Sequence, residues 1–354
     1  MRAESYDFFK SMLETPSVSG FEEPVARIVR KRMKKYASSI ETDVHGNTIV
    51  ALNPKGKPRV LLAGHCDQLG LMIQHINDEG FLHFASVGGI DPTVLPGSRV
   101  TVHAKKGPVE GVIGRKPIHL MKQEERGQGK VELTDLWIDI GAKDTDTAEK
   151  QAADADPGPG EPGAHNLRAH HTPTPALANK VGCYVVMEAL RLASTKKLNC
   201  SLYAVATVQE EIGLRGARTS AYGVDPQVGI AVDVTHATDN PGADKRAVGD
   251  VRLGAGAVIE RGANINTALC DAFLATAKKK KIAHQLSAAP NATPTDANAI
   301  QISKAGVAAA LISVPNRYMH TQVEVCHLDD LDACAKLIAE TVATFNSRTS
   351  FIPK

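Results

Sequence analysis

No stretch of the 354 residues approaches the roughly 20 consecutive apolar positions that a membrane-spanning helix needs. No excess of either charge is present. The 41 basic and 39 acidic residues leave a formal net charge of +2, which argues against an extended nucleic-acid or acidic-membrane footprint. The opening MRAESYDFFKSMLETPSVSG carries no basic-then-apolar leader. Cysteine is sparse: Cys66, Cys183, Cys200, Cys270, Cys326 and Cys334 are scattered and form no C-x-x-C pair. That spacing fits reduced thiols better than a disulfide framework or a zinc–thiolate site. The expectation is a cytoplasmic protein.

What is present is the composition of a globular chain, 43% hydrophobic and 23% charged. Its length exceeds the roughly 250–300 residues that one core serves, so a large domain plus a smaller one is expected. YDFFKSMLETP reads as a helix stopped by Pro16. A second helix follows in SGFEEPVARIVRKRMKKYA, with Ser19 as a candidate cap and Val25, Ile28, Val29 and Met33 at helical spacing. NTIVAL and RVLLAGH read as strands joined by the NPKGKP turn. From about Leu69 to Ile140 the texture changes to short β-like pieces (LGLMIQHI, GFLHFASV, RVTVHA, GPVEGVIG, LWIDIG), which predict a small β-barrel or sandwich. DADPGPGEPG reads as an exposed loop. Beyond Asn179 helices and apolar strands alternate, in the order KVGCYVVMEALRLAS, SLYAVATVQ, QVGIAVDVT, NTALCDAFLATAKKKK, GVAAALISVP and LDDLDACAKLIAETVATF. The fold class is α/β, a largely parallel sheet sandwiched by helices. The expected division is a discontinuous α/β domain over 1–68 and 165–354, with a β-rich insert over 69–164.

Ligands of open α/β sheets gather at the carboxyl ends of the strands. RVLLAG ends in His65-Cys66-Asp67, SLYAVATVQ in Glu210-Glu211, VGIAVDV carries Asp233, and AALISVPNRYM ends in His320. Each has a bland reading. His65 and Asp67, two apart, share one face of an extended strand. They suit a metal-bound imidazole oriented by a carboxylate, but equally a turn. Glu210-Glu211 repel each other unless a cation compensates, and alone they also suit a solvated loop. Asp233 is the strongest, because a charge inside a buried-type strand is costly. His320 alone reads as a turn residue. His236 is taken as a neighbour or surface group, and His165, His170 and His171 as loop residues. Together the imidazoles and carboxylates suit a divalent ion such as zinc, cobalt or manganese.

The motifs GHCDQLGLMI, VQEEIGLRGA, AVDVTHATD, TDANAIQISKAGV and SVPNRYMHTQVEV span nearly the whole chain. Through them the sequence resembles the tetrahedral metallo-aminopeptidases, a family of co-catalytic zinc exopeptidases with some relatives described as endoglucanases. The resemblance implies a zinc-exopeptidase-like α/β domain with an inserted β-rich dimerisation domain after the first metal-binding histidine. It implies dimers building a dodecamer that admits peptides. Two divalent ions, zinc or cobalt, are implied. His65 and Asp233 would hold one, and Glu211 and His320 the other. Glu210 would be the general base, with Asp67 orienting His65.

One position departs from the family pattern A-x-D-N-[RK]-V-G. This chain reads Ala176-Leu177-Ala178-Asn179-Lys180-Val181-Gly182, so Ala178 stands where the family has the aspartate that bridges both ions. Neither His170 nor His171 falls in a frame that replaces it. The expectation is weakened metal binding, with one ion or none, and low or absent peptidase activity. Three readings follow: an aminopeptidase with impaired catalysis, an inactive family member or engineered inactive variant acting as an assembly or binding subunit, and a glycosidase. The last is disfavoured, because sugar hydrolysis needs a carboxylate pair and not two histidines converging with it.

Overall fold

Two amphipathic helices open the chain. Helix α1 (Ala3–Leu13) buries Phe8, Phe9, Met12 and Leu13, and α2 (Glu23–Met33) buries Val25, Ala26, Val29 and Met33. Pro24 sits in the first turn of α2, where its missing N–H costs nothing. Helix α2 therefore starts later than Ser19: its N-cap is Glu22, and Ser19 has a different partner, described below. The computed structural model describes residues 1–123, 130–158, 171–173 and 177–353, with the backbone alone at 171–173, 178 and 179.

Strands β1 (Ser39–Thr42), β2 (Thr48–Leu52) and β3 (Arg59–His65) follow. Only four residues, 66–69, separate His65 from the next strand. β4 (Gly70–Ile76), β5 (Leu82–Val87), β6 (Arg99–Ala104), β7 (Gly107–Arg115), β8 (Leu136–Asp139) and β9 (Pro157–Gly158) form a separate six-stranded antiparallel sheet, ordered β6-β7-β8-β5-β4-β9. Its edge strands β6 and β9 approach each other, so the sheet is nearly closed. Inside lie Leu71, Ile73, Leu82, Phe84, Val100, Val102, Ile113, Leu136 and Ile138. A short helix α3 (Thr145–Glu149) packs beside it. Residues 159–170, with His165, His170 and the expected domain boundary at 164/165, lie outside the described residues.

After β10 (His171–Pro173) the chain enters α4 (Leu177–Ala193), β11 (Ser201–Thr207), α5 (Arg215–Val224), β12 (Val228–His236), α6 (Lys245–Val248), β13 (Ala257–Gly262), α7 (Thr267–Lys280), β14 (His284–Ala289), α8 (Asp296–Gln301), β15 (Ala308–Asn316), β16 (Val325–His327) and α9 (Leu328–Val342). The main sheet has eight strands, ordered β1-β2-β11-β3-β12-β15-β13-β14. Its centre, β11-β3-β12-β15, is wholly parallel, and antiparallel pairs occur only toward the two sides. The sheet is thus mixed around a parallel core, which is where the fully apolar runs occur.

Helix α4 is fixed to this core by backbone-to-backbone packing. A Cβ on Gly182 would lie 2.2 Å from the carbonyl oxygen of Val232, and one on Gly64 2.3 Å from the carbonyl carbon of Gly182. Both contacts lie one residue before a group of the site described below, His65 at the end of β3 and Asp233 within β12. Position 178 is four residues before Gly182, on the same helix face and one turn nearer the helix N-terminus. Lys180 is fully buried, and its Nζ donates to the Thr15 carbonyl oxygen at 2.6 Å. That bond ties the start of α4 to the segment between α1 and α2.

Candidate metal centre

The four central parallel strands bring the chemistry-bearing residues to one end of the sheet. His65 closes β3, opposite Thr207 at the end of β11. Glu210 and Glu211 follow β11 after Gln209, whose φ of +54° turns the chain sharply. A non-glycine residue there is uncommon and marks a constrained turn. Asp233 lies within β12, and His320, at φ +61°, lies in the loop after β15.

Asp67 organises this end. Its Oδ1 accepts the backbone N–H of Glu210 at 3.0 Å, and its Oδ2 accepts that of Glu211 at 3.1 Å. Oδ2 also accepts the Ser19 hydroxyl at 2.6 Å. The same residue meets His65: Nδ1 lies 3.1 Å from the Asp67 carbonyl oxygen and 3.5 Å from its Oδ1. One buried carboxylate thus sets the imidazole and the two glutamates relative to each other. Burial by itself raises its pKa. The neighbouring His65, the Ser19 hydroxyl and the Glu210 amide outweigh that and hold it below the usual carboxylate value.

Two imidazole–carboxylate pairs result. His65 Nε2 lies 3.8 Å from Asp233 Oδ1, and His320 Nε2 lies 3.8 Å from Glu211 Oε1. Donors about 2 Å from a shared ion stand up to about 4 Å apart, so each pair can straddle one cation. In addition, one ligand atom each of His65, Glu210 and Glu211 falls within a mutual 4.8 Å.

The electrostatics call for positive charge. Burial, then the charges of Asp233, Asp296 and Glu211, push Glu210 up to about 10 against the opposing pull of His65. Burial drags the His65 imidazole down, but Glu210, Asp233 and Asp67 overcome it and raise it well above the ordinary histidine range. His320 is lowered by its own burial, which outweighs the opposing charge of Asp233. A divalent cation among these carboxylates would relieve their mutual repulsion, so the donor set fits one chemically.

Asp296, at the start of α8, has no role in the reading of the sequence. Its Oδ2 accepts the Thr207 hydroxyl at 2.6 Å, while its buried Oδ1 has no hydrogen-bond partner among the described residues. Burial pushes it up to about 7. The only signal in the sequence was an acid inside the TDANAI motif. Ser19 was likewise missed as a partner of Asp67. His236 ends β12 and is exposed. The side chains at 171 and 178 are not among those described.

Comparison with known proteins follows the same lines. Residues 46–337 match the M42 glutamyl aminopeptidase family. The chain is 36% identical to a lysyl aminopeptidase of Pyrococcus furiosus over 94% of its own length and 95% of that protein. Its fold superposes on a TET aminopeptidase from a marine-sediment Thaumarchaeota archaeon with TM-score 0.92, at 32% identity and 97% coverage of both chains. It matches the TET1 peptidase of Pyrococcus horikoshii, which can assemble into a tetrahedron or a large octahedral shell, with TM-score 0.85, at 33% identity over 96% of this chain and all of that one. With the family match and these relatives spanning nearly its full length, the chain belongs to the M42 family of aminopeptidases.

Proposed function

We propose that this protein is a metal-dependent aminopeptidase that removes amino-terminal residues from peptides, working below the family's level because Ala178 replaces an acid. The observation that carries the reading is the pair of imidazole–carboxylate couples, each spanning 3.8 Å, set on one frame by Asp67. His65 and Asp233 would hold one ion, Glu211 and His320 the other, zinc or cobalt in either place. Bound there, such ions supply Lewis-acid polarisation of the scissile carbonyl and a water nucleophile at neutral pH. Glu210 would take the proton of the attacking water and return it to the leaving amine. Its burial keeps the carboxyl away from bulk solvent. Asp67 fixes the approach of Glu210 through its backbone rather than its side chain.

Ala178 favours a second reading, in which the chain is a non-catalytic subunit of an assembly. The relatives that build shells support self-association, and the nearly closed six-stranded sheet, with its own core, is the natural dimerisation module. Location in the cytoplasm is part of the same proposal, since six buried free thiols suit a reducing compartment.

The test is release of free amino acid from leucine p-nitroanilide and from short peptides after stripping and reloading with Zn²⁺ or Co²⁺, with native mass measured in parallel. Ala178→Asp should raise turnover at least tenfold over the natural chain. If neither protein hydrolyses any peptide with either metal, the enzyme reading fails and the subunit reading stands.

A further inference from the structure

Ala178 stands where the resemblance places a bridging carboxylate, and the donors that remain leave each of two ions short of protein ligands. Each imidazole–carboxylate couple offers two protein ligands. Catalytic zinc sites commonly use three. A threefold set does exist: His65, Glu210 and Glu211 bring one nitrogen and two carboxylate oxygens within a mutual 4.8 Å. It draws one residue from each of the two expected ion positions and adds the residue expected to be the base. Both glutamates are held from behind, because Asp67 accepts their two backbone N–H groups and also contacts His65. The backbone under both glutamates is therefore fixed beside His65, and a small side-chain rotation suffices to close the three donors on one ion.

We infer that this chain holds a single divalent ion between His65, Glu210 and Glu211, so that Glu210 serves as a metal ligand instead of a free base. The inference rests on the metallo-aminopeptidase reading and adds a new role for Glu210. It also gives a cause for weak catalysis beyond a missing ligand: the group that should take the proton is occupied by the ion. Restoring an acid at 178 would return the ions to the two couples and release Glu210.

Metal binding tests this without reference to turnover. The full-length protein is stripped with a chelator and titrated with Zn²⁺ and Co²⁺, for the natural chain, Glu210→Gln, Ala178→Asp and the double variant. The natural chain should take one ion, and Glu210→Gln should weaken it more than a hundredfold. Ala178→Asp should take two ions, and adding Glu210→Gln to it should change neither affinity more than a few-fold. The visible spectrum of the Co²⁺ form gives a second measure. Glu210→Asp, a milder change, should shift the band in the natural chain and leave it in place in the Ala178→Asp background. Two ions in the natural chain, no ion in it, or a Glu210→Gln affinity within threefold each overturns the inference. If the natural chain holds no ion or holds two while Ala178→Asp holds two and hydrolyses peptides, the inference falls and the aminopeptidase reading survives. If no variant binds metal, both fall.

Discussion

Lys180 offers a test of the packing beneath the site that needs neither metal nor substrate. Its ammonium is fully buried at the start of α4, beside Cys66 and Cys183, and donates to the Thr15 carbonyl oxygen. Burial pulls its pKa from 10.5 to about 7. Unfolded, the amine holds its proton up to about pH 10.5; folded, it gives the proton up near pH 7. Unfolding between those values therefore takes up a proton, and raising the pH favours the folded state. At 1.36 kcal/mol per pH unit, keeping this amine neutral costs about 4 kcal/mol at pH 7 and about 2 kcal/mol at pH 9. Lys180→Met fills similar space and cannot titrate. The natural chain should therefore gain about 2 kcal/mol on Lys180→Met between pH 7 and pH 9. Above pH 10.5 the variant should be the weaker of the two, having lost the Thr15 bond. Urea unfolding of both proteins, chelator-treated and followed by circular dichroism at four pH values, measures the difference. Parallel stability curves would refute the argument and place the Lys180 amine in contact with water.

The other expectations are briefer. Gly182→Ala drives a Cβ to 2.2 Å from the Val232 oxygen and should lower stability by about 3 kcal/mol or more. Gly223→Ala on α5, with nothing within 4 Å of its Cβ, should be neutral or add up to about 1 kcal/mol; equal effects in thermal unfolding would discredit the α4 contact. Asp67→Asn replaces an acceptor of three hydrogen bonds and should cost about 2–4 kcal/mol at pH 7. Because the folded pKa of Asp67 lies below its ordinary 3.8, its contribution is present above that value and fades as the pH falls through the folded one. The gap between the variant and the natural protein should therefore close in acid denaturation. A gap that widens below pH 4 contradicts the assigned partners.

Much of this architecture is written locally. RVLLAGH, SLYAVAT and GIAVDV are apolar runs that read as buried strands, and the polar residues at or near the end of each run stand out against them. The short runs from Leu69 to Ile140 announce a different sheet for the same reason. Other features depend on partners far away in the chain. AVIERG and HQLSAA, which become β13 and β14, are too short or too mixed to declare themselves; HQLSAA pairs only along one side, at the sheet edge. Ser19 looks like a helix cap because Asp67, its actual partner, is 48 residues on. Asp296 acquires meaning only when Thr207, 89 residues earlier, donates to it. Ala178 is the reverse case: the departure shows in the sequence frame, while its consequence depends on how the remaining donors converge.

The distances along the chain between interacting residues also set an order on the molecule's formation. The core of the six-stranded sheet is drawn from residues between Leu71 and Ala152, so its contacts span short loops and can close as soon as that stretch exists. The centre at the strand ends is drawn from Ser19, His65, Glu210, Asp233 and His320. Closing loops of that length is slow and gains little until all the parts are present. A nascent chain carries a finished β module long before it carries a site. A chain ending before His320 lacks part of the centre, and with it α9, whose Leu331, Leu337 and Ile338 belong to the main core.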